Sequence, residues 1–169
     1  MTPILDRRKL LASVVAFAAA PTLARADDYI DLNWSDLLPE GETAPPPVLQ
    51  SLIDHSQAPL NNQQPASSGV RGDWNGQVIR LPGYIVPIEY SGSGVTAFIL
   101  VPFVGACVHV PPPPANQLVF VTTSTPYESA SLFEAVNVIG MFGVSSMSTH
   151  LADIGYALSA DKIEPFRRT

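Results

Sequence analysis

The stretch VIRLPGYIVPI, residues 78–88, decides the fold class of this chain. Its apolar and β-branched side chains are typical of a β-strand. Gly83 stands in its middle, and a glycine inside an apolar strand marks a bend or a bulge. We therefore predict a long first strand that bends near Gly83.

Four more apolar runs follow this strand and are separated by turn residues. The sequence SGSG at residues 91–94 reads as a turn. The predicted second to fifth strands are residues 95–104, 118–122, 136–142 and 156–160. Five short strands, a bent first strand and no long amphipathic helix predict an all-β fold, best described as a small OB-like five-stranded barrel. A small β-sandwich is the alternative.

Residues 27–68 differ in composition from residues 69–169, because they are polar and rich in proline. We predict an irregular N-terminal arm here and place the barrel domain at residues 69–169. Trp34, Leu37 and Leu38 fall in one helical turn that would fasten the arm to the domain, and residues 48–55 predict a second short helix. With so little apolar periodicity, we expect the arm to be dispensable for folding.

The first 26 residues have the three parts of a cleavable signal peptide. Arg7 and Arg8 lie in a charged head, residues 10–20 form an apolar run, and residues 24–26, ARA, form a small-residue exit before Asp27. The adjacent arginines favour the twin-arginine export route, and an ordinary Sec signal is the alternative. The run is too short for a stable membrane anchor, which needs about 20 apolar residues. We expect a periplasmic protein.

Charge narrows the range of partners. The chain has nine basic and 15 acidic residues, of which five and 14 remain once residues 1–26 are removed, a net charge of −9. Such a surface repels phosphate backbones, so we expect no nucleic-acid partner. An acidic chain is compatible with cations, but general acidity indicates no specific site.

The segment GACVHVPPPPANQ, residues 105–117, is unlike ordinary barrel sequence. If the second strand continues into it, Cys107 and His109 project from the same face. A thiolate beside an imidazole suits zinc or copper(I). Two protein ligands are too few to hold a metal ion, so a third is needed. His150 is the favoured third ligand, and His55 is a weaker candidate. The sequence thus predicts a metal site at Cys107, His109 and His150.

Other interpretations of this segment stay open. Cys107 is the only cysteine, so an intramolecular disulfide is impossible, and the thiol could be a small buried apolar group beside a turn capped by His109. Thiol chemistry would need a base from another element, and no other catalytic signature is present, so we do not expect an enzyme. Asn116 and Gln117 can tie the proline turn to neighbouring backbone. The proline run itself is either a ridge for a partner or a buried turn.

Residues 105–117, together with LPGYIVP at 81–87 and LVPF at 100–103, resemble an uncharacterised family of exported bacterial proteins, DUF3299. The resemblance extends over about residues 74–166. It implies a periplasmic location and an OB-like domain, and it assigns no activity. Genes for members of this family often lie near transport or metal-uptake genes, and this association hints at a function in one of those processes. Residues 143–148 depart from the family, since serine and methionine stand where a more charged turn is expected.

These observations predict a periplasmic binding or accessory protein that handles zinc or copper in connection with envelope transport. Its partners would be a metal ion and an envelope transport protein. The alternative is a structural or protein-partner-binding module in which residues 105–117 are only a rigid turn.

Replacing both Arg7 and Arg8 with lysine should leave uncleaved precursor in the cytoplasm, because the twin-arginine route requires the arginine pair. Cell fractionation and mass spectrometry check this, and the wild-type mature protein should begin at Asp27. Normal export of the double variant would point to the Sec route instead.

Overall fold

The structure is a computed structural model that describes residues 28–43, 64–107 and 111–166. The predicted signal peptide, the short helix at residues 48–55, His55 and His109 lie outside these ranges. Six strands occur in the described part of the chain: β1 Ile30–Asp31, β2 Gln77–Ser91, β3 Gly94–Val101, β4 Val119–Tyr127, β5 Ala135–Ser148 and β6 Asp153–Pro165. Short 3-10 turns occur at Trp34–Leu37 and Ala115–Gln117.

Five of these strands close into a barrel. The sheet order is β2-β3-β4-β6-β5, and β5 pairs back onto β2. All pairs within the barrel are antiparallel except β4 with β6, which are parallel. The OB-like five-stranded barrel predicted from the sequence is confirmed, with β1 as one added strand. No helix in the described residues is long and apolar enough to cross a membrane.

Closure depends on the bend in β2. Residues 77–84 of this strand pair with β5 and residues 84–91 pair with β3, so Tyr84 has a partner on each side. The bend brings Gly83 against β3, where an added Cβ would lie only 2.7 Å from Leu100 Cγ. Glycine is therefore needed for close approach at the bend predicted from the sequence.

Several strands differ in length from their predicted bounds. The second strand ends at Val101 instead of residue 104, whereas the fourth and fifth extend to Ser148 and back to Asp153. The extension of β5 contains three serines, whose low apolar content hid it from a pattern search. It forms a hairpin with β6 that continues beyond the last β2–β5 pair, at Phe142.

Two apolar clusters occupy opposite faces of the β2–β3–β4 sheet. The barrel interior holds the larger one, with Ile85, Phe98, Leu100, Val119, Val121, Phe142 and Tyr156 among its members. The second contains Val86, Ile99, Val101 and Leu118. Because successive side chains of a strand point to opposite faces, this second set lies on the outside of the barrel.

The N-terminal arm contributes to the barrel interior. Leu32 and Leu37 belong to the larger cluster, and the buried Tyr156 hydroxyl donates a 2.8 Å hydrogen bond to the Leu37 carbonyl oxygen. β1 adds to the sheet by pairing Ile30 with Ile79. The boundary at residue 69 stays a prediction, but these contacts argue against an arm that folding can dispense with.

Leu37→Ala tests that role. Leu37 is fully buried, so the variant should lower the free energy of unfolding by about 2–5 kcal/mol. Urea unfolding measures this, with Leu132→Ala as the control, because Leu132 is 51% exposed and its loss should change stability by less than about 0.5 kcal/mol. An unchanged midpoint for Leu37→Ala would support the dispensable arm.

Candidate functional site

Cys107 does not lie on a strand. β3 ends at Val101, and Pro102 and Gly105 follow in a turn in which Gly105 has φ 93° and Cys107 has φ 66°. A left-handed φ is incompatible with strand geometry, so the strand cannot continue through Gly105 and Cys107. The expectation that strand alternation aligns Cys107 with His109 is therefore wrong at Cys107, and His109 lies outside the described residues.

The Cys107 thiol is enclosed by apolar side chains. The residue is fully buried within the second cluster, together with Ile99, Leu118 and Ile154. Burial raises the pKa of this thiol to about 12, because a thiolate would lose its hydration there. The thiol is thus protonated at neutral pH, whereas nucleophilic attack and metal ligation both need the thiolate.

The structure brings the turn that contains His150 to this cluster but leaves the histidine itself exposed. Leu151 and Ala152 pack in the cluster, and the Thr149 hydroxyl accepts hydrogen bonds from the backbone N–H groups of both. Within residues 28–43, 64–107 and 111–166, no three histidine, cysteine, aspartate or glutamate side chains form a group able to hold a metal. The three-residue metal site stays a prediction of the sequence.

The proline run is buried where it is described. Pro111, Pro112 and Pro113 are all buried, so they do not form an exposed ridge. They lead into the 3-10 turn at Ala115–Gln117, which packs so closely on β6 that a Cβ at Gly155 would lie 2.7 Å from the Ala115 carbonyl oxygen. Residues 111–117 are therefore part of the packed interior.

Asn116 and Gln117 connect this turn to the arm. The Gln117 amide donates to the Trp34 carbonyl oxygen at 3.0 Å, and the Asn116 amide donates to the Ser68 hydroxyl at 3.3 Å. Both side chains are almost fully buried, and Asn116 Oδ1 has no hydrogen-bond partner in the described structure. Their contacts indicate a structural role, which is to tie the arm to the barrel.

Together these segments cover the outer face of β3 and β4. Phe103, Ala106 and Cys107 approach it from the loop after β3, and Leu151 and Ala152 approach from the β5–β6 turn. OB folds bind oligonucleotides and oligosaccharides on this face of their second and third strands and in the loops beside it. In this protein the chain itself occupies the face.

A different concavity is open at the bend of β2. We call it the aromatic cleft, and it has a volume of about 150 Å³. Its lining is Trp34, Pro82, Gly83, Tyr84, Pro102, Ala135 and Phe166. This lining contains no Asp, Glu, Lys, Arg or His, and three of its residues are aromatic.

Hydrogen bonds to backbone carbonyl oxygens hold both walls of the aromatic cleft. The Trp34 indole N–H donates to the Pro82 carbonyl oxygen at 2.7 Å, and the Phe166 backbone N–H donates to the Ala135 carbonyl oxygen at 2.8 Å. Phe166 is 44% exposed although it is a large apolar residue. Sequence reasoning missed this site because its residues come from the arm, both ends of the barrel sequence and the loop after β3. The sequence gives no local signal that Trp34, Tyr84 and Phe166 meet.

Comparison with known proteins gives the chain a family. The family model described as protein of unknown function (DUF3299) matches residues 34–165. The chain belongs to the DUF3299 family. The resemblance seen in the sequence is thereby confirmed, and the match begins at Trp34, inside the arm.

A solved member of the family has a similar fold. The crystal structure of a DUF3299 family protein from Pseudomonas aeruginosa PAO1 is 38% identical in sequence and superimposes with a TM-score of 0.74. The alignment covers 83% of this chain and 98% of that one. Comparison with curated proteins finds no match.

The buried thiol leads to a prediction about reactivity. In the native protein Cys107 should resist alkylation by iodoacetamide at neutral pH and react fully in denaturant, because the folded protein encloses it and keeps it protonated. Mass spectrometry follows the labelling.

The buried thiol also leads to a prediction about metals. Titrations with zinc and copper(I) should give the same binding for the wild type and for Cys107→Ser. Rapid native labelling, or metal binding lost in the variant, would restore the metal hypothesis.

Proposed function

We propose that this DUF3299 protein is an exported partner-binding module of the cell envelope, and that its aromatic cleft holds an apolar anchor residue of another polypeptide. The observation that carries the proposal is the open, uncharged cleft formed by Trp34, Tyr84 and Phe166. Aromatic pockets of this kind are where binding energy concentrates in protein interfaces.

The size of the cleft favours a side chain over a free small molecule. Pockets that enclose metabolites or drug-sized ligands have volumes of about 300–1,000 Å³. The aromatic cleft, at about 150 Å³, has room for one large side chain or a proline ring. Its hydrogen-bonded walls are already in place, which lowers the entropy lost on binding.

The remaining features are consistent with a binding role for this surface. The usual ligand face of the fold is covered, and the thiol is protonated and enclosed. The predicted signal sequence supports a location in the periplasm, where an envelope transport protein is the partner we expect. Metal handling by Cys107 and His109 stays an untested prediction, and no described contact favours it.

A series of capped short peptides that differ only in their central residue tests the cleft. Central tryptophan, leucine or proline should shift the backbone NMR signals of Gly83, Tyr84 and Ala135 in the purified mature protein. Central lysine should not, because the cleft offers no opposite charge and would desolvate the ammonium group.

Phe166→Ala opens one wall of the cleft and should weaken binding of the best peptide by about tenfold, the effect of losing a moderate interface anchor. Tyr90→Ala is the matched control, since Tyr90 is another exposed aromatic residue and lies outside the cleft. Equal responses to all peptides, or equal loss in both variants, would exclude the cleft as the binding site.

A further inference from the structure

The outer face of β2, β5 and β6 has a second concavity besides the aromatic cleft. We call it the acidic groove, and it has a volume of about 360 Å³. Its lining is Asp28, Tyr29, Val78, Ile139, Asp161 and Lys162.

The acidic groove and the aromatic cleft follow each other along β2. Ile79 and Leu81 point into the barrel, so the alternate residues Val78, Pro82 and Tyr84 point outward. Val78 lines the groove, whereas Pro82 and Tyr84 line the cleft. Val78 and Pro82 are four residues apart, which corresponds to about 13 Å along an extended strand.

The arm and β6 form the two sides of this outer face. β2 lies between β1 and β5, and β6 follows β5, so the local order across the sheet is β1-β2-β5-β6. From the arm, Asp28 lines the groove and Trp34 lines the cleft. From the opposite side, Asp161 of β6 lines the groove, and Phe166, directly after β6, lines the cleft. The two concavities are therefore the ends of one trough, along which a polypeptide anchored in the cleft can extend into the groove.

The free charge of the acidic groove is negative. Lys162 is neutralised by Glu164, since its ammonium nitrogen lies 2.6 Å from a Glu164 carboxylate oxygen. The side chains of Asp28 and Asp161 belong to none of the ion pairs formed among the described residues. Two carboxylates thus face the groove without a cation of their own.

The floor of the acidic groove is apolar, because Val78 and Ile139 point outward there. Lysine and arginine have an aliphatic stem that packs on apolar surface and a charged end that stays at the rim. At longer range, the net charge of −9 on the mature chain attracts basic segments and repels acidic ones. Charge complementarity therefore selects a basic side chain as the occupant of the groove.

We propose that the partner held by the aromatic cleft has a lysine or arginine about four residues from its apolar anchor, and that this basic side chain occupies the acidic groove. Its cation would lie between the carboxylates of Asp28 and Asp161. The inference rests on the proposed function, because the anchor in the cleft sets the register of the partner along the trough. Exposed ion pairs contribute little affinity, so the groove mainly selects among partners that all fit the cleft.

Capped nine-residue peptides of glycine and serine, with the best anchor residue at the centre, test the spacing. A lysine four residues from the anchor, on one side or the other, should tighten binding about fivefold over glutamine at low ionic strength. Salt should remove the gain, because it screens exposed charges. A lysine two residues from the anchor should lose most of the gain. The better lysine peptide, but not its glutamine counterpart, should shift the backbone NMR signals of Val78 and Ile139.

The double variant Asp28→Asn, Asp161→Asn tests the groove in the purified mature protein. It should bind the lysine and glutamine peptides equally and should bind the glutamine peptide as the wild type does. The matched control is Glu89→Gln with Glu128→Gln, which changes the net charge by the same amount at residues outside the groove and the cleft. The control should keep the gain from lysine.

The outcomes separate this inference from the proposed function. Lysine and glutamine peptides that bind the wild type equally, or a gain that both double variants lose equally, would overturn the basic side chain in the groove and leave the aromatic cleft in place. Anchor peptides that do not bind at all would overturn the cleft and, with it, this inference.

Discussion

The change of partner along β2 is the constraint on which the rest of this structure depends. One strand pairs with β5 in its first half and with β3 in its second, and only a sharp bend allows both. The bend requires a residue without a side chain at Gly83, because the Leu100 side chain occupies the space of a Cβ. Strand alternation places Pro82 and Tyr84 on the outer side of this bend, where they line the aromatic cleft. Barrel closure and the open cleft thus use the same segment of β2.

Much of the barrel could be predicted from the sequence because strand side chains alternate with a period of two. Alternation and turn residues located all five barrel strands and the bend at Gly83. They could not locate strand ends that depend on partners elsewhere in the chain. Ser145 and Ser146 belong to a strand because β6 lies beside them, and no local preference of serine predicts that.

The candidate site was harder to predict than the fold, for a physical reason. A buried apolar cysteine and a metal-ligating cysteine can have the same neighbours in sequence, and the difference lies in what packs around the thiol. At Cys107 the decisive neighbours include Leu118 and Ile154, which folding brings from later strands and loops. The proline turn posed the same problem, because Pro111 and Pro112 are rigid in either setting and only their burial assigns them to the interior.

Energetics indicate that the loop over β3 and β4 is part of the core and not a removable lid. Opening it would expose Ile99, Val101 and Leu118, together with other buried members of the second cluster. Each large apolar side chain returned to water costs about 1.5–3 kcal/mol, so full exposure of the cluster costs on the order of 10 kcal/mol. That is comparable with the whole stability of a typical domain, which is about 5–15 kcal/mol. A ligand would have to supply this energy before gaining any contact of its own. Binding therefore favours surfaces that are already open, and the aromatic cleft at the bend of β2 is such a surface.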